Sequence, residues 1–238
     1  MINQPQDIFP QKELNLHKDR SIRSAKRHVT IRKYRIEDRP HVRRISCETA
    51  FLELPRGNIF TDDEVLADAL VSSYVDFEPE SCYVADMKGK VVGYIIGSLD
   101  LHNHNQISSK TMLPLFMKAL QRGVFLRKAN LKFFIQSLQG ALKGEFVMPN
   151  FTKEFPATLH INVKHGYRRE GVGKKLLVAY LDYLKNAQVK AVHMGTISEI
   201  AKDFFVSMGF RVIYQSPRTY LKVYLGKEVT CYVLGKEL

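Results

Sequence analysis

Tyr167-Arg168-Arg169-Glu170-Gly171-Val172-Gly173 lies between a strand-like run, Thr158 to Val163, and a helix-like run, Lys174 to Lys185. A strand that passes through glycines into a helix start exposes backbone N–H groups with no carbonyl partners, at the positive end of the helix dipole. That arrangement suits an anionic pyrophosphate. Gly171 and Gly173 let the backbone approach a phosphate with no Cβ in between, although glycines before helices also serve tight turns and packing. The loop lacks the Lys-Ser/Thr ending of a nucleotide P-loop, and Leu176 stands where a dinucleotide fingerprint has its third glycine. His160, on the strand before the loop, is the candidate base because imidazole titrates near neutral pH; the alternative is a packed strand histidine. His102-x-His104 has no recognisable further ligands, so no metal site is expected.

The elements that would position these groups are legible as patterns. Val29 to Tyr34 alternates as a strand, and Glu37 and Asp38 open a helix with Pro40 in its first turn and Val42, Ile45 and Ala50 on one face. A second helix is expected from Thr61 or Asp62 to about Tyr74, with Thr61 as its cap. Ser81 to Asp86 and Val91 to Leu99 form a hairpin turned by Lys88-Gly89. Residues 101–156 break the compact pattern: His102 to Gln106 reads as a loop, and Met112 to Arg122 and Arg127 to Leu142 as helices of an inserted cap. Beyond the glycine loop, Lys190 to Thr196 reads as a strand and Glu199 to Met208 as a helix. Arg211 to Tyr214, Tyr220 to Leu225 and Val229 to Leu234 read as closing strands. This order implies a mixed α/β domain over 28–238 with an antiparallel start and one parallel step, preceded by a flexible basic arm over 1–27.

At 238 residues with 45% apolar content the chain can bury a real core. Its net charge of +12 is spread over the whole length, which fits a solvated basic surface or attraction of a phosphate-bearing ligand. No nucleic-acid signature accompanies that charge, so no nucleic-acid partner is expected. Cys47, Cys82 and Cys231 are too few and too scattered for a disulfide framework or a metal knuckle, which favours a reducing, cytoplasmic setting. Nothing near Met1 resembles a signal peptide, and the longest apolar run, Val91 to Leu99, is too short to span a bilayer, so no membrane partner is expected.

Arg168-Arg169-Glu170-Gly171-Val172-Gly173 resembles the cofactor loop of the GNAT acetyl-CoA-dependent N-acetyltransferases, which has the form Gln/Arg-x-x-Gly-x-Gly/Ala after the fourth strand. Ala201, Phe204, Phe205, Gly209 and Phe210 resemble that family's later Ala-x-x-aromatic pair-x-x-x-Gly-Phe block. Pro156 to Asn162 and Val192 to Gly195 bear a weaker resemblance to acetyltransferase-like domains associated with O-GlcNAc hydrolases. The resemblance covers about 28–100 and 157–238. It implies a mostly antiparallel sheet flanked by helices, with the helical insert between the third and fourth strands.

It also implies that N–H groups of Arg169, Glu170, Gly171, Val172, Gly173 and Lys174 cradle the pyrophosphate of acetyl-CoA. Arg168, Lys174 and Lys175 would add charge, or stand as exposed helix-face residues. The backbones of Asn162 and Val163 would meet the pantetheine arm where the fourth and fifth strands splay, and Ser198 would contact the cofactor or cap the following helix. The implied activity is direct acetyl transfer to a primary amine of an unspecified acceptor. Two departures motivate the alternative, a catalytically silent CoA-binding or partner-binding module: Ala157 replaces the usual strand glutamate, and Phe205 the usual thiolate-protonating tyrosine. The closing strands could also pair between subunits as a homodimer.

Overall fold

A computed structural model describes residues 28–53 and 58–238; the arm expected over 1–27 lies outside the described residues. Among them the chain builds one seven-stranded sheet from β1 (Thr30–Lys33), β2 (Tyr83–Met87), β3 (Lys90–Ser98), β4 (Ala157–Val163), β5 (Ala191–Thr196), β6 (Arg211–Arg218) and β7 (Val229–Glu237). The spatial order is β1-β2-β3-β4-β5-β7-β6, and each neighbouring pair is antiparallel except β4 with β5. The β2–β3 hairpin closes through Lys88 and Gly89, both at positive φ, so its two-residue turn twists with the strands.

Helices cover both faces. On one side α1 (Arg39–Thr49) precedes α2, which is α-helical over Asp63–Ala67, passes through a π-turn at Asp68–Ser72 and is α-helical again over Ser73–Phe77. Val42, Ile45, Val71 and Val75 pack there on Val84, Tyr94 and Ile96. The insert consists of α3 (Leu101–Gln121) and α4 (Lys128–Leu142). On the opposite face α5 (Val172–Asn186) presents Leu176, Leu177, Tyr180 and Leu184 at helical spacing to Val92, Ile95, Leu159 and Val192. Each of those leucines contributes roughly 2 kcal/mol by leaving water. The remaining helices are α6 (Glu199–Ser207) and the short α7 (Lys222–Leu225).

Three local expectations are corrected. The cap of α2 is Asp62, whose carboxylate accepts from Val65 N, because Thr61 gives both its N–H and its hydroxyl to Asn130 Oδ1. His102 to Gln106 is helix rather than loop, since Asp100 accepts from the N–H groups of His102 and Asn103 and starts α3 ahead of its apolar stretch. Tyr220 to Leu225 is helical rather than a strand. There Glu145 accepts from the Thr219 N–H and hydroxyl, holding the turn that leads into α7, and Gly226 ends the helix at φ 71°. β6 instead runs on to Arg218 through Pro217, which an edge strand tolerates.

The insert is tied to both halves of the sheet. Arg122 Nε bonds both oxygens of Asp62 at 3.0 and 2.9 Å, and the fully buried Asn130 joins Thr61 to the carbonyl of Val124. At its other end the Phe133 ring lies 6.5 Å from Tyr220, and Phe151 lies 6.0 Å from both Tyr214 and His193. The helical pair thus bridges the α1–α2 connection and the β6–β7 connection. No helix among the described residues is long and apolar enough to cross a membrane.

Candidate active site

β4 and β5 are paired over only two rungs, Ala157 with Val192 and Thr158 with His193. Beyond them β4 stays with β3 as far as Val163, while β5 stays with β7 as far as Thr196, so the two parallel strands part into a V. Lys164 N donates to Val92 O at 2.9 Å, which marks the hydrogen-bonded rungs of the β3–β4 ladder. Counting back by twos, Thr158, His160 and Asn162 spend their backbone groups on β3, whereas Leu159, Ile161 and Val163 turn theirs toward the gap. Of the two backbones expected to face it, Val163's does and Asn162's does not.

The mouth of the V continues through a short turn, His165–Tyr167, into the glycine loop and α5. Arg169 at φ 61° and Gly171 at φ 78° reverse the chain, and Gly171 takes the N-cap position with no side chain capping the helix. Val172, Gly173 and Lys174 therefore present first-turn N–H groups that have no carbonyl earlier in the helix to bond. Glycine at 173 is not demanded by the fold. Its φ is not positive, and a Cβ there would meet only Phe204 Cζ at 3.8 Å and Val163 Cγ2 at 3.9 Å, ordinary contacts. What a side chain would fill is the space over the helix end, which fits a phosphate held by these N–H groups.

Basic side chains line the approach. Arg168 Nε donates to Val163 O at 2.8 Å, and burial pulls its pKa down. Arg168, Lys164 and His165, with Glu48, Thr49 and Gly166, enclose an open cavity of about 420 Å³ beside the loop. Lys174 is exposed, while Lys175 Nζ reaches back toward Val29 O at 3.4 Å. A second cavity, about 320 Å³, lies between α1, α2 and α3, and its charges pair with each other: Arg39 with Asp76 at 2.7 Å, Lys118 with Asp68 at 2.6 Å, and Arg43 with Asp68.

His160 and Asn162 share the sheet face of Tyr94, the cross-strand partner of Asn162. Asn162 Nδ2 lies 2.9 Å from both the Tyr94 hydroxyl and His160 Nε2, and that hydroxyl lies 3.1 Å from Nε2. Tyr94 is fully buried, and burial pushes its phenol well above the usual range. Nothing in the sequence singles out Tyr94; the register that pairs it with Asn162 is what picks it out. Burial lowers the pKa of His160 to about 4, so the expectation of titration near neutrality is corrected: the imidazole is neutral at pH 7 and a weak base. Because the unfolded chain binds this proton more readily than the folded one, stability is full above pH 6.5 and falls as pH drops toward 4. His160→Gln should remove roughly 2 to 3 kcal/mol of that acid destabilisation, read from urea unfolding at both ends of the window. Equal slopes in both proteins would refute the burial effect.

Ser198 caps α6, its hydroxyl accepting from Ala201 N at 3.2 Å. Phe205 is 1% exposed, with the rings of Phe204 and Phe210 each 5.1 Å away, and works in the core. Ala157 is likewise fully buried at the vertex of the V.

A mixed sheet with one parallel pair that splays beside a bare, glycine-started helix defines the fold of the GNAT acetyltransferases. Solved structures superpose on nearly the whole chain. SsHAT is 25% identical, with 88% of this chain and 98% of that one covered at a TM-score of 0.66. The Drosophila melanogaster polyamine N-acetyltransferase is 14% identical, covering 89% and 100% at 0.56. The yncA protein of Salmonella typhimurium, solved with its cofactor acetyl-CoA, is 14% identical, covering 88% and 94% at 0.52. No family model and no curated protein matches the sequence.

Proposed function

We propose that the chain is an acetyl-CoA-dependent N-acetyltransferase that passes acetyl directly to a primary amine. The observation that carries this reading is the parting of β4 from β5 beside the uncapped start of α5, where packing does not require Gly173 to be glycine. The N–H groups of the loop from Arg169 to Gly171 and of the first helical turn from Val172 to Lys174 hold the pyrophosphate, with charge from Arg168 and Lys174. Backbone groups of Ile161 and Val163 meet the pantetheine arm in the gap. The acyl thioester supplies an activated carbonyl: a C–N bond to the amine forms as the C–S bond breaks.

The attacking amine must shed a proton, and the thiolate must gain one. His160, held by Tyr94 and Asn162, is neutral at working pH, so it accepts the amine proton only transiently and passes it on to solvent. Phe205 donates nothing, which leaves water to protonate the thiolate. The insert, spanning both connections that flank the V, shapes the acceptor side, and the acceptor itself is an amine of unassigned identity.

Incubation with acetyl-CoA and a panel of primary amines, followed by release of free thiol, tests the proposal. Turnover is expected, with His160→Ala lowering kcat on the order of 10²-fold. A second reading, a silent CoA-binding module, is favoured by the core positions of Phe205 and Ala157. Saturable binding of acetyl-CoA with no turnover on any amine would select it.

A further inference from the structure

The insert carries a surface that acyl transfer does not use. Of the 20 large apolar side chains standing exposed among the described residues, 13 fall between Met112 and Met148. On α4, Leu131, Ile135, Leu138 and Leu142 recur at four, three and four residues, so they share one face. That face points away from the domain, because Asn130, Phe133 and Phe134 of the same helix pack inward. On α3, Leu113, Phe116, Met117 and Leu120 form a comparable exposed stripe, and Leu126, between the helices, is 88% exposed. An apolar surface this concentrated marks a contact region rather than ordinary scatter.

Its charge identifies the occupant. From Leu101 to Gly144 there is no Asp or Glu, against seven Lys and Arg. Lys118, Arg122 and Arg127 are engaged by Asp68 and Asp62, whereas Lys128, Lys132 and Lys143 are exposed and paired with no acid among the described residues; Lys132 Nζ lies 5.3 Å from the Tyr224 ring and Lys143 Nζ donates to Thr219 Oγ1 at 3.2 Å. A second copy in a two-fold interface would set these lysines against their own kind. Exposed Leu, Met and Phe flanked by lysines on an acid-free helix match the boundary between acyl chains and anionic headgroups.

We propose that the α3–α4 insert docks the protein on an anionic bilayer surface. The leucine stripe of α4 enters the headgroup boundary, and the flanking lysines meet lipid phosphates and carboxylates. The sequence led to an expectation of no membrane partner because no segment is long and apolar enough to span; an interfacial helix needs no span, and the proposal departs from that expectation.

Co-sedimentation of the full chain with vesicles of phosphatidylcholine alone, and of an equimolar phosphatidylcholine–phosphatidylserine mixture, tests this. Binding to the mixed vesicles should be about ten-fold or more tighter, and should weaken at high salt. Leu138→Glu with Leu142→Glu, and separately Lys128→Glu, should each reduce it by about ten-fold while the thermal transition stays in place, since these side chains face solvent. No sedimentation with either vesicle would overturn the proposal, as would equal binding by the variants. A lipid-free dimer abolished by Leu138→Glu would assign the face to self-association instead.

Discussion

Gly173→Asp is expected to weaken acetyl-CoA binding by about 100-fold or more, on the order of 3 kcal/mol, while the protein stays folded. The two halves of that expectation have separate causes. A carboxylate at 173 fills the space over the helix end and opposes a pyrophosphate with like charge. The same carboxylate in the first turn of α5 complements the helix dipole, and the new Cβ meets only contacts of 3.8 and 3.9 Å, so stability should hold or rise slightly. Calorimetric titration beside a thermal melt reads both. Undiminished binding in a folded variant would remove the pyrophosphate from this loop, and with it the basis for the acetyltransferase reading. Gly173→Ala, which adds bulk without charge, should fall between the two.

The largest loss of stability is expected from Gly97→Ala. Gly97 pairs with Leu159 on the α5 side of the sheet, where a Cβ would overlap the Thr158 carbonyl oxygen and the Tyr180 hydroxyl. Those two atoms are themselves bonded at 2.9 Å, and Tyr180 is fully buried. The methyl therefore costs overpacking against backbone and also breaks a buried hydrogen bond, together about 3 to 5 kcal/mol. Thr158 belongs to one of the two rungs joining β4 to β5, so surviving folded protein should also bind acetyl-CoA less well. Urea unfolding measures the first effect, and a loss under about 1 kcal/mol would mean the strands separate freely at this point.

The sequence carried the elements whose information is local. Glycines at 171 and 173 after a β-rich run announced the strand-loop-helix, because backbone conformation and close approach depend on those residues themselves. Lys88-Gly89 announced the hairpin for the same reason. Misreadings arose where a distant partner decided the outcome. Thr61 reads as a cap, but Asn130 takes its groups, and Tyr220 to Leu225 reads as a closing strand but is turned into helix beside Glu145. Asp100 is also a local signal, but the polar residues after it show no apolar period to mark the helix it caps.

For the site, residue types and loop spacing were enough to indicate an anion seat, because first-turn N–H groups and a helix dipole follow from a helix start alone. Tertiary structure decided everything that depends on neighbours. It set the parting of β4 from β5, the register that brings Tyr94 to Asn162 and His160, and the burial that takes His160 to about 4. It also turned Val163's backbone into the gap and Asn162's away, and sent Phe205 to the core. Strand pairing and desolvation are relations between segments far apart in the chain, and no residue carries them by itself.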